Sequence, residues 1–156
     1  MNILKLFTAG AISLLVSGCG DSRDTAVRDK DSSSAAKNID SKKSGEAIEA
    51  AADWLQLADS GQYGRSWEEA AEYFKNLVSK EKWINTLKGV RGTLNPMIKR
   101  EVQSRGYTTS MPGAPDGEYV IIHYETEFEN KEYAIEAVTA MKEKDGNWRV
   151  SDYFIK

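Results

Sequence analysis

The 156-residue sequence is poor in the residue types that most chemistry needs. It holds one cysteine, Cys19, so no internal disulfide can form and no thiolate cluster can bind zinc or iron–sulfur. It holds one histidine, His123, which leaves few ways to build a metal or triad site. Gly89, Gly92 and Gly106 stand alone, so no glycine-rich phosphate loop precedes a helix. A nucleophile-elbow sequence is also missing. There is no polybasic run to grip anionic headgroups. The formal net charge is −3. Lys5 is the only charge before Cys19, and residues 20–45 hold six basic against five acidic groups. Residues 46–156 therefore carry the remaining −5. A domain of that sign repels phosphate backbones, so nucleic acid is not an expected partner, and no cofactor is implied.

The longest apolar stretch, Leu6 to Val16, is 11 residues. A membrane-crossing helix needs about 17–25 residues. That length suits the apolar region of a secretory signal, behind the short positive segment ending at Lys5. Val16-Ser17-Gly18-Cys19 follows, and it resembles the lipobox of bacterial lipoproteins. Small residues at Ser17 and Gly18 admit extended backbone to the peptidase, which cuts between Gly18 and Cys19; the Cys19 thiol accepts the diacylglyceryl group. Val16 suits an ordinary small-x-small cleavage site poorly. Two or three acyl chains, palmitate-like in length, then hold the product at a membrane, since each buried methylene adds about 0.8 kcal/mol. Gly20 rather than aspartate after Cys19 favours the outer membrane, facing the periplasm.

Residues 19–45 read as the lipidated cysteine and a tether: residues 20–45 have no aromatic residue and are rich in Ser, Asp and Lys. As a flexible coil those 26 residues reach about 25–30 Å. A single domain is expected over 46–156. Ala47, Ala51, Trp54, Leu55 and Ala58 fall on one helical face ended by Gly61. Trp67, Ala70, Ala71, Phe74, Leu77 and Val78 mark a second helix, with a capping box at Ser66-Trp67-Glu68-Glu69. Ser79 caps a third, carrying Trp83, Ile84, Leu87 and Val90. Trp54, Trp67 and Trp83 stand at core spacing and read as packing rather than a ligand cage.

Beyond Pro96 the period becomes two. Strands are expected over 98–110, 118–129, 132–144 and 147–155, with a proline- and glycine-bearing loop at 111–117 and a hairpin turn at Asp145-Gly146. The fold class is α+β: three N-terminal helices on one face of a curved antiparallel sheet of about four strands.

Several segments resemble the bacterial family called domain of unknown function 4019. They include Trp54-Leu55, Asp59-Ser60-Gly61-Gln62-Tyr63, Ser79-Lys80-Glu81-Lys82-Trp83, the run from Tyr107 to Val120, Phe128-Glu129-Asn130-Lys131 and Gly146-Asn147-Trp148-Arg149-Val150-Ser151. The resemblance implies no activity. The order of elements is also similar to the cone folds of nuclear transport factor two and ketosteroid isomerase, a likeness of architecture that carries no chemistry.

A two-residue turn at Asn130-Lys131 would set Tyr124 opposite Ala137, Ile122 opposite Thr139 and Glu125 opposite Glu136. The last pair sets like charges together, which hints at either a cation or a wrong register. In this register the helix-facing side holds Val120, Ile122, Tyr124, Phe128, Ile135, Ala137, Met141, Trp148, Val150 and Phe154, with Asp152 among them. Asp152 as a base and Tyr124 as a donor could then serve an isomerase or hydrolase pocket; the plainer reading is that both are simply paired. The other side shows Tyr119, Ile121, His123 and Tyr153, a candidate surface for an envelope protein or a second copy. No metal site is assigned. The functional expectation is a membrane-anchored envelope lipoprotein that binds a partner without catalysis, through a candidate loop of Pro112, Gly113, Ala114, Pro115, Asp116 and Gly117; the alternative is the small-molecule enzyme.

Overall fold

The computed structural model describes residues 30–156, with side chains from Asp40 onward. Four helices, α1 (Lys30–Asp59), α2 (Tyr63–Glu68), α3 (Glu72–Leu77) and α4 (Lys80–Leu94), precede four strands. These are β1 (Met97–Thr108), β2 (Tyr119–Phe128), β3 (Lys131–Lys142) and β4 (Trp148–Ile155). They form one antiparallel sheet in the order β1-β2-β3-β4. The α+β class and the four strands are as read from the sequence.

Helix α1 buries the expected stripe of Ala47, Ala51, Trp54, Leu55 and Ala58. It ends where Gly61 takes a φ of 72°, letting Gln62 N–H reach the Leu57 carbonyl at 2.8 Å. The helix is longer than expected. The tether expected over 20–45 gives way to helix at Lys30, and by Lys43 and Ser44 the chain belongs to the packed body.

The second expected helix is two short ones. Ala71 leaves helical geometry and donates its N–H to the Val150 carbonyl at 2.8 Å, so the break also covers part of the β4 edge. The capping box does not form, because Ser66 lies inside α2 and is fully buried. Its carbonyl accepts from Trp54 Nε1 at 2.6 Å, and its hydroxyl accepts from Trp83 Nε1 at 3.0 Å. Ser66 therefore unites two indoles that meet Phe74 and Tyr153 edge-on. Ser79 does cap α4, accepting from Lys82 N–H.

The register differs by one residue between β2 and β3. Phe128 pairs with Lys131 across a Glu129-Asn130 turn, and an irregularity then sets Ile122 opposite Val138 and Tyr124 opposite Glu136. A one-residue slip exchanges the faces of a strand. Ala134, Glu136, Val138 and Ala140 consequently face the helices, not Ile135, Ala137 and Met141. The slip also separates Glu125 from Glu136. In β4 a bulge at Ser151 reverses the alternation: Trp148 and Val150 point inward, then Tyr153 and Ile155. Asp152 and Phe154, expected on the inner face, pair with Thr139 and Ala137 on the outer one. The free edge of β1 carries Lys99, Arg100, Glu101 and Arg105 and two register shifts, features that discourage edge pairing.

Replacing Ser66 with alanine strands the Trp83 indole N–H in the core. An unpaired buried donor costs about 1–3 kcal/mol. Urea denaturation of S66A is expected to show a loss of that size with unchanged m-value.

Candidate functional site

One fully buried position on β3 is charged. Glu136 is fully buried, and both carboxylate oxygens are used. Oε1 accepts from Tyr153 Oη and from Arg91 Nη2 at 3.2 Å. Oε2 accepts from Arg100 Nε and from Thr126 Oγ1 at 2.7 Å. Arg100 then grips Asp59 with two parallel bonds of 2.7 and 2.9 Å, and Arg91 Nη1 lies 2.9 Å from the same carboxylate. Two guanidinium ions thus face two carboxylates, and the group is neutral. Its members come from α1, α4, β1, β2, β3 and β4. Burial and its anionic neighbour push the Tyr153 hydroxyl well above its ordinary pKa, so it stays protonated and donates. Arg100 is held above its ordinary value: burial opposes the charge, but Asp59 and Glu136 outweigh it.

Tyr124 sits on the inner face next to this group, as the sequence implied. Burial pushes its hydroxyl up to about 12, and that hydroxyl has no hydrogen-bond partner among the described residues. Asp152, its expected companion, is exposed on the opposite face. Neighbouring atoms crowd its carboxyl enough to raise its pKa, against the backbone N–H of Tyr153. Water nevertheless reaches the side chain, and that exposure decides its behaviour. The acid–donor pair is therefore not assembled, and the bulge at Ser151 is the reason. Tyr153, expected outside, is in the core for the same reason.

On the outer face Ile121 and His123 are half-buried, and His123 Nδ1 lies 3.2 Å from Ser104 Oγ. Tyr119 is buried rather than displayed, because the 111–117 loop folds over it. The Tyr119 hydroxyl donates to the Pro115 carbonyl, and Tyr73 donates to the Gly113 carbonyl at 2.8 Å. Gly117 N–H closes the loop base on Thr109 at 3.1 Å. Gly113, at a φ of 78°, turns the chain where a side chain would be strained. Pro112, Gly113, Pro115 and Asp116 are exposed, while Ala114 and Gly117 are half-buried. The loop is pinned by two tyrosines yet open to solvent. Among the described residues no group of three or more His, Cys, Asp or Glu is placed to hold a metal. Gly18 and Cys19 lie outside the described residues.

The members of the charged group escaped the sequence reading although a signal was present. Arg91 continues the Trp83–Leu87 stripe of α4, and Asp59 continues the Ala51–Leu55 stripe of α1. A charge at core spacing calls for an opposite one nearby.

The fold and its two polar features define a small α+β domain with an internally neutralised core and an ordered exposed loop. The model of the family described as protein of unknown function DUF4019 matches residues 50–153, two thirds of the chain, and the chain belongs to that family. No curated protein and no solved structure matches it.

Glu136→Gln leaves two buried guanidinium ions short of a counter-charge. The expected loss is about 3–5 kcal/mol. Tyr124→Phe removes an unpaired hydroxyl and is expected to leave stability unchanged or raised; denaturant melts of the two variants check the contrast. At high pH the unfolded chain releases tyrosine protons that the folded chain keeps on Tyr124 and Tyr153. Stability should fall as pH climbs past about 10. Phenolate absorbance of Tyr153 should emerge only with unfolding, and that of Tyr124 in the folded chain not before about pH 12.

Proposed function

We propose that the chain is a bacterial envelope lipoprotein whose domain binds a partner without catalysis, through the loop at 111–117. In this reading Leu6–Val16 directs export, the signal is cut between Gly18 and Cys19, and acyl chains on Cys19 hold the product at a membrane, the outer one facing the periplasm. The observation that carries the binding role is the loop itself. Two buried or half-tethered tyrosines hold its carbonyls while its prolines remain in water, so its shape is fixed before any partner arrives. Pre-ordered loops on a rigid frame are where binding residues concentrate. The opposing reading, an isomerase or hydrolase, rested on Asp152 beside Tyr124, and these stand on opposite faces of the sheet.

Absence of a charged tip also matters. From Met111 to Pro115 the loop offers apolar side chains and backbone only, and Asp116 follows. Such a surface suits a partner of low charge, with shape and main-chain contacts setting specificity.

Two measurements test the proposal. Cys19→Ser should abolish incorporation of a palmitate analogue and release the protein from envelope vesicles in a high-salt wash; retention of the label by the variant overturns the anchor. Replacing Pro112 and Pro115 with serine should leave the melting curve close to wild type but remove the crosslinked adduct formed by the wild-type chain in intact cells. An unchanged adduct means that the loop is not the binding element.

A further inference from the structure

Helix α1 enters the domain at a definite end of the sheet. Lys43 Nζ lies 2.8 Å from Glu118 Oε2 and donates to Tyr107 Oη at 3.2 Å, and it stands over the Tyr107 ring. Three residues later Glu46 accepts from Trp148 Nε1. Glu118, Tyr107 and Trp148 flank the end of the sheet where β1 finishes, β2 and β4 begin, and the 111–117 loop projects. The helix then crosses the inner face and finishes at Asp59, bonded to Arg100 near the start of β1, at the far end. The stretch of α1 before Lys43 therefore reaches the body from the loop end.

We propose that the loop end of the domain faces the lipid surface that carries Cys19, with the far end of the sheet turned away. This rests on the anchor reading above. Electrostatics points the same way. At the loop end the charges are mostly cancelled locally: Lys43 with Glu118, Arg149 with Glu143 and Asp145, Lys75 with Glu72. The far end gathers Glu101, Glu125, Glu127, Glu129 and Glu132 against Lys99, Lys131 and Lys156. An anionic headgroup layer repels that end within a screening length of about 8–10 Å. The loop tip is uncharged from Met111 to Pro115, and the Gly113 and Pro115 carbonyls already accept from Tyr73 and Tyr119. Shedding water from this tip costs less than it would with free carbonyls. The helical stretch from Lys30 to Lys42 adds about 20 Å between the body and the chain leading to Cys19. It sets how far the loop stands from the headgroups when α1 is upright, and contact requires α1 to tilt.

The two ends are separated by the ten residues of β2, or about 33 Å, so they are readily distinguished. The lipidated full chain, carrying either Ala114→Cys or Asn130→Cys with a donor dye, is bound to vesicles of phosphatidylethanolamine and phosphatidylglycerol bearing a headgroup acceptor. Energy transfer from residue 114 is expected to exceed that from residue 130 several-fold. Equal transfer, or stronger transfer from 130, overturns the proposal. Flotation with the vesicles reports separately on the anchor. If the chain does not float, the anchor reading fails. The direction of approach is then decided in solution on the Cys19→Ser background, with a second dye at Asp40→Cys. A shorter distance from 40 to 114 than to 130 retains the loop-end entry; the reverse removes it.

Discussion

A carboxylate with no contact to water has to find every one of its hydrogen bonds inside the protein, and the bottom half of this domain is arranged around meeting that demand for Glu136. Its two oxygens take four donors, and the two donors that are cations bring their own excess charge, which Asp59 cancels. Each partner arrives on a different element, so none of these elements can shift alone without exposing a charge to an apolar surrounding. The group is not thereby a large source of stability. Desolvating four ions offsets most of their attraction, and well-packed apolar residues could serve as well energetically. Its effect is on uniqueness: in any other register of β3 the carboxylate would leave Arg91 and Arg100 to share Asp59 alone, one buried positive charge uncompensated.

The same group explains where the sequence was legible and where it was not. Apolar periodicity located α1, α4 and the last three strands, because a stripe or an alternation is the direct cause of burial, while the polar first strand followed from the change of period after Pro96. Strand ends and turns were close for the same reason. Face assignment failed at β3 and at the end of β4. Both failures come from one extra residue, at the β2–β3 turn and at Ser151, which no alternation rule detects. Ala137 and Ile135 looked like the core set because they are apolar, while Glu136 was counted as solvent-facing. Only the coincidence of Asp59, Arg91 and Glu136, each charged and each at core spacing, could have signalled that an ion cluster was buried. The expectation of an anchor is of a different kind, since it rests on the local order of four residues and on no fold at all.

Tyrosines divide the labour elsewhere. Tyr153 belongs to the buried group, and its raised pKa keeps it a donor. Tyr119 and Tyr73 spend their hydroxyls on loop carbonyls and convert a segment with two prolines and two glycines into a fixed shape. The buried Tyr124 hydroxyl has no partner among the described residues, beside a group whose every carboxylate oxygen is taken. A phenylalanine there would fold at lower cost.

The two ends of α1 are held by unlike forces, and that asymmetry bears on how the domain responds to load on this helix. Asp59 is enclosed with two guanidinium ions, and separating them would leave charge buried. Lys43 and Glu118 are each about a third exposed or a little less, so water and salt screen their attraction, and the hydrogen bond between them is what lowers the Glu118 pKa and raises that of Lys43. A pull or tilt transmitted along the helix from its N-terminal side meets the weaker attachment first. That attachment is made to Tyr107 and Glu118, the residues flanking the loop on either side. The fold thus places the yielding contact of α1 at the base of the exposed 111–117 loop, while the buried group keeps the remainder of the sheet in register.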